Sequence, residues 1–307
     1  MLFGGTGYPF GERTSNELLR IHFNHTNPSF HTFETHVRGD EIPRLYGQAM
    51  VHRRRFDADL NAIVDVIYII GGTTGHEYNI DVWRMESANT NLQEWECKLL
   101  TKSFGSLDQE LPGRYRLEVV ATEHYLITFG GGNPSFCAAF DNMLIFDLRT
   151  EHYVTISTKP DSRHGFPSSR KCHAIVEFDG CAYIIGGCHE SFEDGSELRT
   201  ILNDVWSLNL DTFAWTKMDA QLRVPVFFHA AAVTKEGCLY VYGGCTNLQS
   251  TNRTSSLQRM WLRPPTLRHF AIRSVFSTEK LFCDEGVTEP SSELLSEVAE
   301  IVQRIIN

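Results

Sequence analysis

The sequence lacks several features that would assign it a common function. It holds no run of about eighteen apolar residues, so no membrane-spanning helix is predicted. Its densest basic run, Arg53–Arg55, is predicted to be a loop, and with a net charge of −10 the chain is not expected to bind nucleic acid. The motifs G-x-S-x-G, the P-loop and H-E-x-x-H do not occur, so no catalysis is expected.

The eight cysteines do not form a metal or disulfide pattern. None belongs to a C-x-x-C pair, so we expect no zinc site, no other metal and no cofactor. The first residues carry no basic region followed by an apolar stretch, and no signal peptide is predicted. Cys181/Cys188 and Cys238/Cys245 flank two glycine pairs in the same way, as small apolar strand residues would. We therefore predict a reducing, cytoplasmic location and leave a nuclear one open.

What the sequence does contain is a repeated glycine pair. Five short apolar runs end in Gly-Gly, and the first glycines are residues 4, 71, 130, 186 and 243, spaced by 56 to 67 residues. A repeat of about fifty residues with this ending is typical of kelch repeats, each of which forms one four-stranded blade of a β-propeller. The glycines are expected where a strand leaves the blade in conformations closed to other residues.

One repeat, residues 167–218, illustrates how the four strands of a blade are predicted from the sequence. Four segments are predicted strands: PSSRKCHAIVEF, CAYIIGG, DVWSLNL and FAWTKM. The polar stretch 189–203 is predicted to be a loop, as is the insert Arg53–Asn61 of an earlier repeat. Four tryptophans fall at equivalent places in two repeats and are expected to pack between blades: Trp83, Trp95, Trp206 and Trp215.

The predicted fold is therefore all-β, a kelch β-propeller over residues 1–263 followed by a short helical segment over 264–307. Five repeats are recognisable. The first lacks its own first strand, since Met1 lies only three residues before Gly4. Because a propeller hides its strand edges by closing, the five repeats are expected to be an incomplete six-bladed ring or five blades that close imperfectly.

Several segments match more than the general kelch pattern, among them GGTGYPFGE, RLYGQAM, RKCHA, NDVWSLNLDTFAW, PVFFHAAAVTKEGC and NRTSSLQRMWL. Over about residues 1–275 the chain resembles the kelch-propeller substrate receptors of cullin-2 ubiquitin ligases. The resemblance implies a non-catalytic adaptor that binds elongin B/C and a cullin, with cullin-2 expected, and that presents substrate proteins for ubiquitination.

The resemblance also implies a docking helix after the propeller. Residues 266–275, TLRHFAIRSV, place Leu267, Ala271 and Val275 at the spacing of an elongin-binding BC box, on one face of a helix. The alternative is a plain amphipathic helix packed on the last blade. No Leu-Pro-type segment of the kind that selects a cullin follows it, so the choice of cullin stays open.

The first strands of the blades are expected to line the channel and to form the binding face. Near a proline they carry basic, hydroxyl and aromatic side chains, and the predicted binding residues are Arg114, Arg116, Arg170, Lys171, Ser169, Tyr46 and Phe227. Arginine binds carboxylates with two parallel hydrogen bonds, so this set is interpreted as a pocket for the C-terminal carboxylate of a substrate. The resemblance implies degrons that end in glycine.

Two alternatives stay open. Arg-x-x-His is also a structural kelch pattern whose side chains bond neighbouring loops, and this applies above all to His173 and His229, with Gln48 and Glu118 at the same position. The whole chain could also be a kelch interaction scaffold in signalling or the cytoskeleton without a ligase function. A copper-radical oxidase is not favoured, because Tyr46, Cys172 and His173 make no consistent ligand set.

Overall fold

A computed structural model describes residues 1–7, 9, 11–24, 29–57, 61–87, 92–102, 111–193, 196–267 and 270. Within them the regular structure is almost entirely β. The strands are β1 (Leu2–Gly5), β2 (Ser15–Asn24), β3 (Ser29–Glu34), β4 (His36–Gly39), β5 (Ala49–Asp57), β6 (Ala62–Thr73), β7 (Tyr78–Ser87), β8 (Glu94–Thr101), β9 (Glu118–Ala121), β10 (Tyr125–Phe129), β11 (Gly132–Asn133), β12 (Phe136–Cys137), β13 (Asn142–Asp147), β14 (His152–Ser157), β15 (Ala174–Phe178), β16 (Cys181–Glu193), β17 (Ser196–Asn209), β18 (Trp215–Lys217), β19 (Ala230–Val233), β20 (Cys238–Tyr242) and β21 (Leu257–Trp261).

The strands form five antiparallel blade sheets, which confirms the predicted kelch propeller. In order along the chain these are blade I (β1–β2–β3), blade II (β5–β6–β7–β8), blade III (β9–β10–β13–β14), blade IV (β15–β16–β17–β18) and blade V (β19–β20–β21). The short hairpin β11–β12 follows the glycine pair of blade III. Strand β4 adds to the edge of blade II by pairing in parallel with β8.

The chain divides into two compact units. The first comprises Met1–Ala231 and Val241–Gln258, and the second comprises Ala232–Tyr240 and the residues from Arg259 onward. The predicted domain boundary between residues 263 and 264 stays a prediction, since only residues 264–267 and residue 270 are described beyond it. No helix in the described part of the chain is long and apolar enough to cross a membrane.

Apolar clusters between successive blades form the core of the first unit. Trp83 and Trp95 of blade II pack with Phe3 and Leu18 of blade I. Blade IV places Trp206 and Trp215 against blade III, where the Trp215 indole donates a 3.1 Å hydrogen bond to the carbonyl of Phe140. The four tryptophans therefore pack between blades, as predicted.

The predicted loop around Arg53–Asn61 is wrong, because this insert lengthens a hairpin. Strands β5 and β6 stay paired from Ala49↔Ile70 as far as Asp57↔Ala62. At the start of β6, Val64 and Val66 are buried on one face, and the arginines of β5 bond to neighbouring elements: Arg53 donates to the carbonyl of Thr122. Three consecutive arginines can belong to a strand, rather than to a loop, when each side chain has an acceptor on a neighbouring element.

The predicted polar loop 189–203 is also wrong. Strands β16 and β17 continue to pair beyond the glycine pair, through Cys188↔Ile201, His189↔Thr200 and Glu190↔Arg199. This part of the hairpin extends beyond the blade, where polar side chains are tolerated on the strands. The alternation of apolar and polar residues that predicts a strand is therefore weak here.

Candidate functional site

The inner strand of each of blades II to V begins with the same local geometry. One residue forms an isolated β-bridge with the residue that follows the glycine pair of the same blade; the bridges are Tyr46↔Thr73, Tyr115↔Gly132, Lys171↔Cys188 and Phe227↔Cys245. The next residue has a left-handed backbone, and these residues are Gly47, Arg116, Cys172 and Phe228, with φ between 57° and 67°. Three of the four are not glycine, which is uncommon for this conformation.

Hydrogen bonds between blades hold these left-handed residues. The amide of Arg116 donates to the carbonyl of Gly47 (2.6 Å), that of Cys172 to Arg116 (3.3 Å) and that of Phe228 to Cys172 (3.0 Å). Because each blade bonds to the one before it, the four residues form an arc that presents the side chains of Arg116, Cys172 and Phe228. We call this the axial arc.

The axial arc borders a cavity of about 330 Å³. Its lining residues are Gly47, Gln48, Arg116, Leu117, Glu118, Cys172, His173, Phe228, His229 and Arg253. The guanidinium carbon of Arg116 lies 4.5 Å from the centroid of the Phe228 ring, a cation–π distance. Burial raises the pKa of the Glu118 carboxyl to about 7, and the charge of Arg116 opposes that rise. The cavity therefore combines arginines with an aromatic wall.

Four equivalent side chains explain the glycine pairs. Gln48, Leu117, His173 and His229 each follow an axial-arc residue, and each lies between two glycines. A Cβ on Gly130 of blade III would lie 2.8 Å from the His173 ring, and one on Gly187 of blade IV would lie 2.8 Å from the Cβ of His173. The predicted equivalence of Glu118 with the histidines is wrong, because the bridges align Leu117 with them.

The histidines of this set act in packing. Burial lowers the pKa of His173 to about 3 and that of His229 to about 4, so both rings are neutral at pH 7. No described residue forms a hydrogen bond of normal geometry with either ring nitrogen of His173. The hydrogen bonds to neighbouring loops that the Arg-x-x-His pattern predicts are therefore wrong for His173, whose ring packs beside glycines of two blades instead.

Arg170 is not available to a ligand in this structure. Its side chain is fully buried, and its guanidinium donates to both carboxylate oxygens of Asp204, at 2.7 and 3.1 Å. Further bonds go to the carbonyls of Gly186 and Ser168. The Arg of the Arg-x-x-His pattern therefore bonds within its own blade.

The other predicted binding residues lie in different surroundings. Lys171 is buried, pairs with Glu190 and donates to the carbonyl of Asn133 (3.0 Å). Arg114 is buried over the Phe136 ring, at 5.6 Å, and burial lowers its pKa. Ser169 is half-buried beside His189, which contacts its carbonyl at 2.6 Å. None of these three lines the cavity.

Among the predicted residues, Arg116 is the one that the structure places in the cavity. Tyr46 and Phe227 are bridge residues directly before the axial arc, Tyr46 half-buried and Phe227 buried. Phe228 and Arg253, which were not in the predicted set, line the cavity instead. Aligning the inner strands on their bridge residues would have identified Phe228. Arg253 pairs with Cys245, at the position that Tyr78, Cys137 and Ile201 hold in blades II to IV.

The predicted elongin-binding residues lie at the end of the described chain. Leu267 is 87% exposed and begins a helical turn in which the amide of Phe270 donates to the carbonyl of Thr266 (3.2 Å). Ala271 and Val275 lie outside the described residues.

The seven described cysteines are all free thiols. Burial raises the pKa of Cys172 to about 12 and that of Cys188 to about 11, so both stay protonated at neutral pH. In the described ranges, no cluster of three or more His, Cys, Asp or Glu side chains is placed to hold a metal ion.

Comparison with known proteins agrees with this architecture. The KLHDC2/KLHL20/DRC7 Kelch-repeats domain matches residues 58–269. Kelch domain-containing protein 10 of Homo sapiens is 34% identical over 272 residues, which cover 88% of this chain and 55% of that protein. The Drosophila melanogaster homolog of that protein is 31% identical, covering 86% and 42%.

The Xenopus laevis Kelch domain-containing protein 10 is likewise 34% identical, over 87% of this chain and 58% of its own length. The chain thus spans about half the length of the curated relatives it matches. Kelch propellers are generally non-catalytic interaction domains. Both the repeat geometry and the match over residues 58–269 lead to one assignment: the chain belongs to the KLHDC2/KLHL20/DRC7 kelch-repeat family and is a protein-interaction propeller.

Proposed function

We propose that this propeller is the substrate-recognition adaptor of a cullin-RING ubiquitin ligase and captures the C-terminal carboxylate of substrates that end in glycine. The observation on which the proposal depends most is the cavity that combines Arg116 and Arg253 with the ring of Phe228. A guanidinium beside an aromatic face can bind a carboxylate with two hydrogen bonds while the chain behind it packs on the ring.

The cavity of about 330 Å³ has room for the last residues of an extended chain, and its walls include His173 and Leu117, which lie beside glycines of two blades. These walls cannot move outward without disturbing the contacts between blades. The preference for a terminal glycine is the part of the proposal that comes from the family resemblance.

Elongin B/C is the proposed partner at the other end of the chain, with cullin-2 joined through it, and the proposed location is cytoplasmic with a nuclear pool left open. Leu267 and Phe270 are both exposed and lie three residues apart on a helical turn. Two exposed apolar side chains at this spacing suit a hydrophobic groove of a partner.

Changing Leu267 to arginine is expected to abolish co-purification with elongin B/C and leave the fold intact, because the side chain is exposed and supports no described contact. The measurement is a pull-down of recombinant elongin B/C by the chain, with melting temperatures recorded in parallel. Leu198→Arg, at another exposed leucine, in the blade IV hairpin, is the matched control. Failure of the unchanged chain to bind elongin would favour a kelch scaffold without ligase function.

Changing Arg116 to alanine is expected to weaken binding of a Gly-ended peptide at least tenfold, since a charge-assisted hydrogen bond contributes about 1.5–3 kcal/mol. Amidating the C-terminus of the peptide should have a similar effect. Fluorescence anisotropy with labelled peptides measures both, and Arg163→Ala at an exposed arginine serves as the control. Equal affinity for the acid and the amide would contradict carboxylate capture.

A further inference from the structure

The inner strand of blade III differs from those of blades II, IV and V at its first residue. Strands β5, β15 and β19 begin with alanine, at Ala49, Ala174 and Ala230, whereas β9 begins with Glu118. Each of these residues lies three positions after the bridge residue of its blade, so the four positions are equivalent. Because a methyl group is sufficient at this position in three blades, packing of the repeat does not explain the carboxyl of Glu118.

The Glu118 side chain lines the cavity beside the axial arc, as does that of Arg116 two residues before it. Glu118 is half-buried. Among the described residues the charge of Arg116 acts on its carboxyl, but none donates a hydrogen bond to it. Burying a carboxylate without a donor costs free energy, and a donor supplied by a ligand would recover part of that cost.

The charges of the cavity suit a ligand that brings one carboxylate. Of the described lining residues, Arg116 and Arg253 are cationic, Glu118 is acidic, and the two histidines are neutral. One carboxylate from a ligand would therefore balance the charge of the lining when Glu118 is ionised. With a pKa of about 7, the Glu118 carboxyl is present in both protonation states at neutral pH, and each state keeps an acceptor oxygen.

A polypeptide chain carries a hydrogen-bond donor next to its terminal carboxylate. The amide N–H of the last residue and the carboxylate are separated by a single Cα, so the two groups arrive together at any site that holds the carboxylate. An acceptor close to Arg116 is therefore suited to this amide.

We propose that Glu118 is a specificity-determining residue that accepts a hydrogen bond from the amide N–H of the last residue of a substrate, while Arg116 holds the terminal carboxylate. The inference rests on the proposed capture of C-terminal carboxylates at this cavity. Arg116 and Glu118 together recognise one unit, a carboxylate with the amide N–H beside it. Chains that end in proline have no such amide hydrogen and are expected to be rejected.

The other acceptors that line the cavity are less suited to this amide. The rings of His173 and His229 lie against glycines of the preceding blades. Gln48 has a side-chain oxygen without a partner among the described residues, but its amide nitrogen donates a 3.0 Å hydrogen bond to the carbonyl of Phe3, which holds the group toward blade I. Glu118 is held by no such bond from a described residue.

The test compares two labelled peptides that differ at the terminal amide. One ends in glycine and the other in N-methylglycine, so a methyl group replaces the amide hydrogen of the last residue. Fluorescence anisotropy with the full chain measures both affinities. N-methylation is expected to weaken binding at least tenfold, because a hydrogen bond to a charged group is lost.

Two variants of similar size separate this hydrogen bond from steric exclusion of the methyl group. Glu118→Met keeps the length of the side chain but removes the acceptor, so the two peptides should bind it within about threefold of each other. Glu118→Gln keeps a carbonyl acceptor and should retain a preference for the glycine peptide. Glu177→Met, at an exposed glutamate of β15, is the control and should show the full preference of the unchanged chain. Melting temperatures of all variants are recorded in parallel.

A third peptide, the glycine peptide with an amidated C-terminus, distinguishes a wrong role for Glu118 from a wrong proposed function. If the acid binds better than the amide, but N-methylation has no effect or has the same effect in Glu118→Met, carboxylate capture stands and the role of Glu118 is overturned. Loss of the preference in Gln48→Leu but not in Glu118→Met would assign the acceptor to Gln48 and overturn the proposal as well. If acid and amide bind equally, or neither binds, the proposed function and the role of Glu118 are both wrong.

Discussion

Replacing Arg170 with alanine is expected to lower the free energy of unfolding by about 3–5 kcal/mol, the range found when one partner of a buried ion pair is removed. The guanidinium is fully buried and bonds to both oxygens of Asp204. Alanine would leave that carboxylate without its cation and leave the carbonyls of Gly186 and Ser168 without a donor.

The pKa of Asp204 shows that its carboxylate depends on the contact with Arg170. Burial alone would raise the pKa of the carboxyl, but hydrogen bonds from Arg170 and its charge outweigh burial and hold the pKa below its usual value. The Trp206 indole also donates to this carboxylate, at 2.7 Å. Loss of the arginine would therefore disturb a strand as well as a loop of blade IV.

Urea unfolding followed by tryptophan fluorescence measures the loss. Arg163→Ala removes an exposed arginine from the segment before blade IV and should change stability by less than about 0.5 kcal/mol. A double variant, Arg170→Met with Asp204→Leu, removes both charges and should recover part of the loss, because no buried charge is then left unpaired. A loss below about 1 kcal/mol for Arg170→Ala would show that the pair contributes little.

Arg170 also shows what could not be predicted from the sequence. Arg170 and Lys171 were predicted to bind a ligand because they open a first strand that was expected to line the channel. Their partners are Asp204, which is 34 residues away, and Glu190, which belongs to a segment predicted to be a loop. The period of the repeat predicts where strands lie, but it does not show which charges meet across a blade.

The fold was predictable for a physical reason that the structure makes explicit. In blades II to IV each glycine of the pair faces a side chain, the first one from the following blade and the second from its own, so the pair recurs where two blades meet. The tryptophans recur because they fill the space between blades. The cavity was only partly predictable, since the left-handed backbone at Arg116 and Phe228 sets the register and no sequence pattern marks it.

Replacing Gly187 with alanine is expected to destabilise the chain by several kcal/mol, about 2–6 when both costs apply. The residue has a φ of +101°, in which a Cβ costs about 1–3 kcal/mol. The added Cβ would also lie 2.8 Å from the Cβ of His173 and 3.0 Å from the carbonyl of Lys171, an overpacking that costs a further 1–3 kcal/mol or so. Urea unfolding of the variant against the unchanged chain measures the sum.

Gly5→Ala separates the two costs because it repeats the backbone strain without the collision. Its φ is +110° and a Cβ there meets no atom within 4 Å, so only the conformational cost applies. We expect Gly187→Ala to lose about 2 kcal/mol more than Gly5→Ala when both are unfolded under the same conditions. Equal losses would mean that backbone conformation alone selects the glycine pairs. A larger loss at Gly187 would mean that contact with a neighbouring strand selects them too, and that blade I keeps its pair without that contact among the described residues.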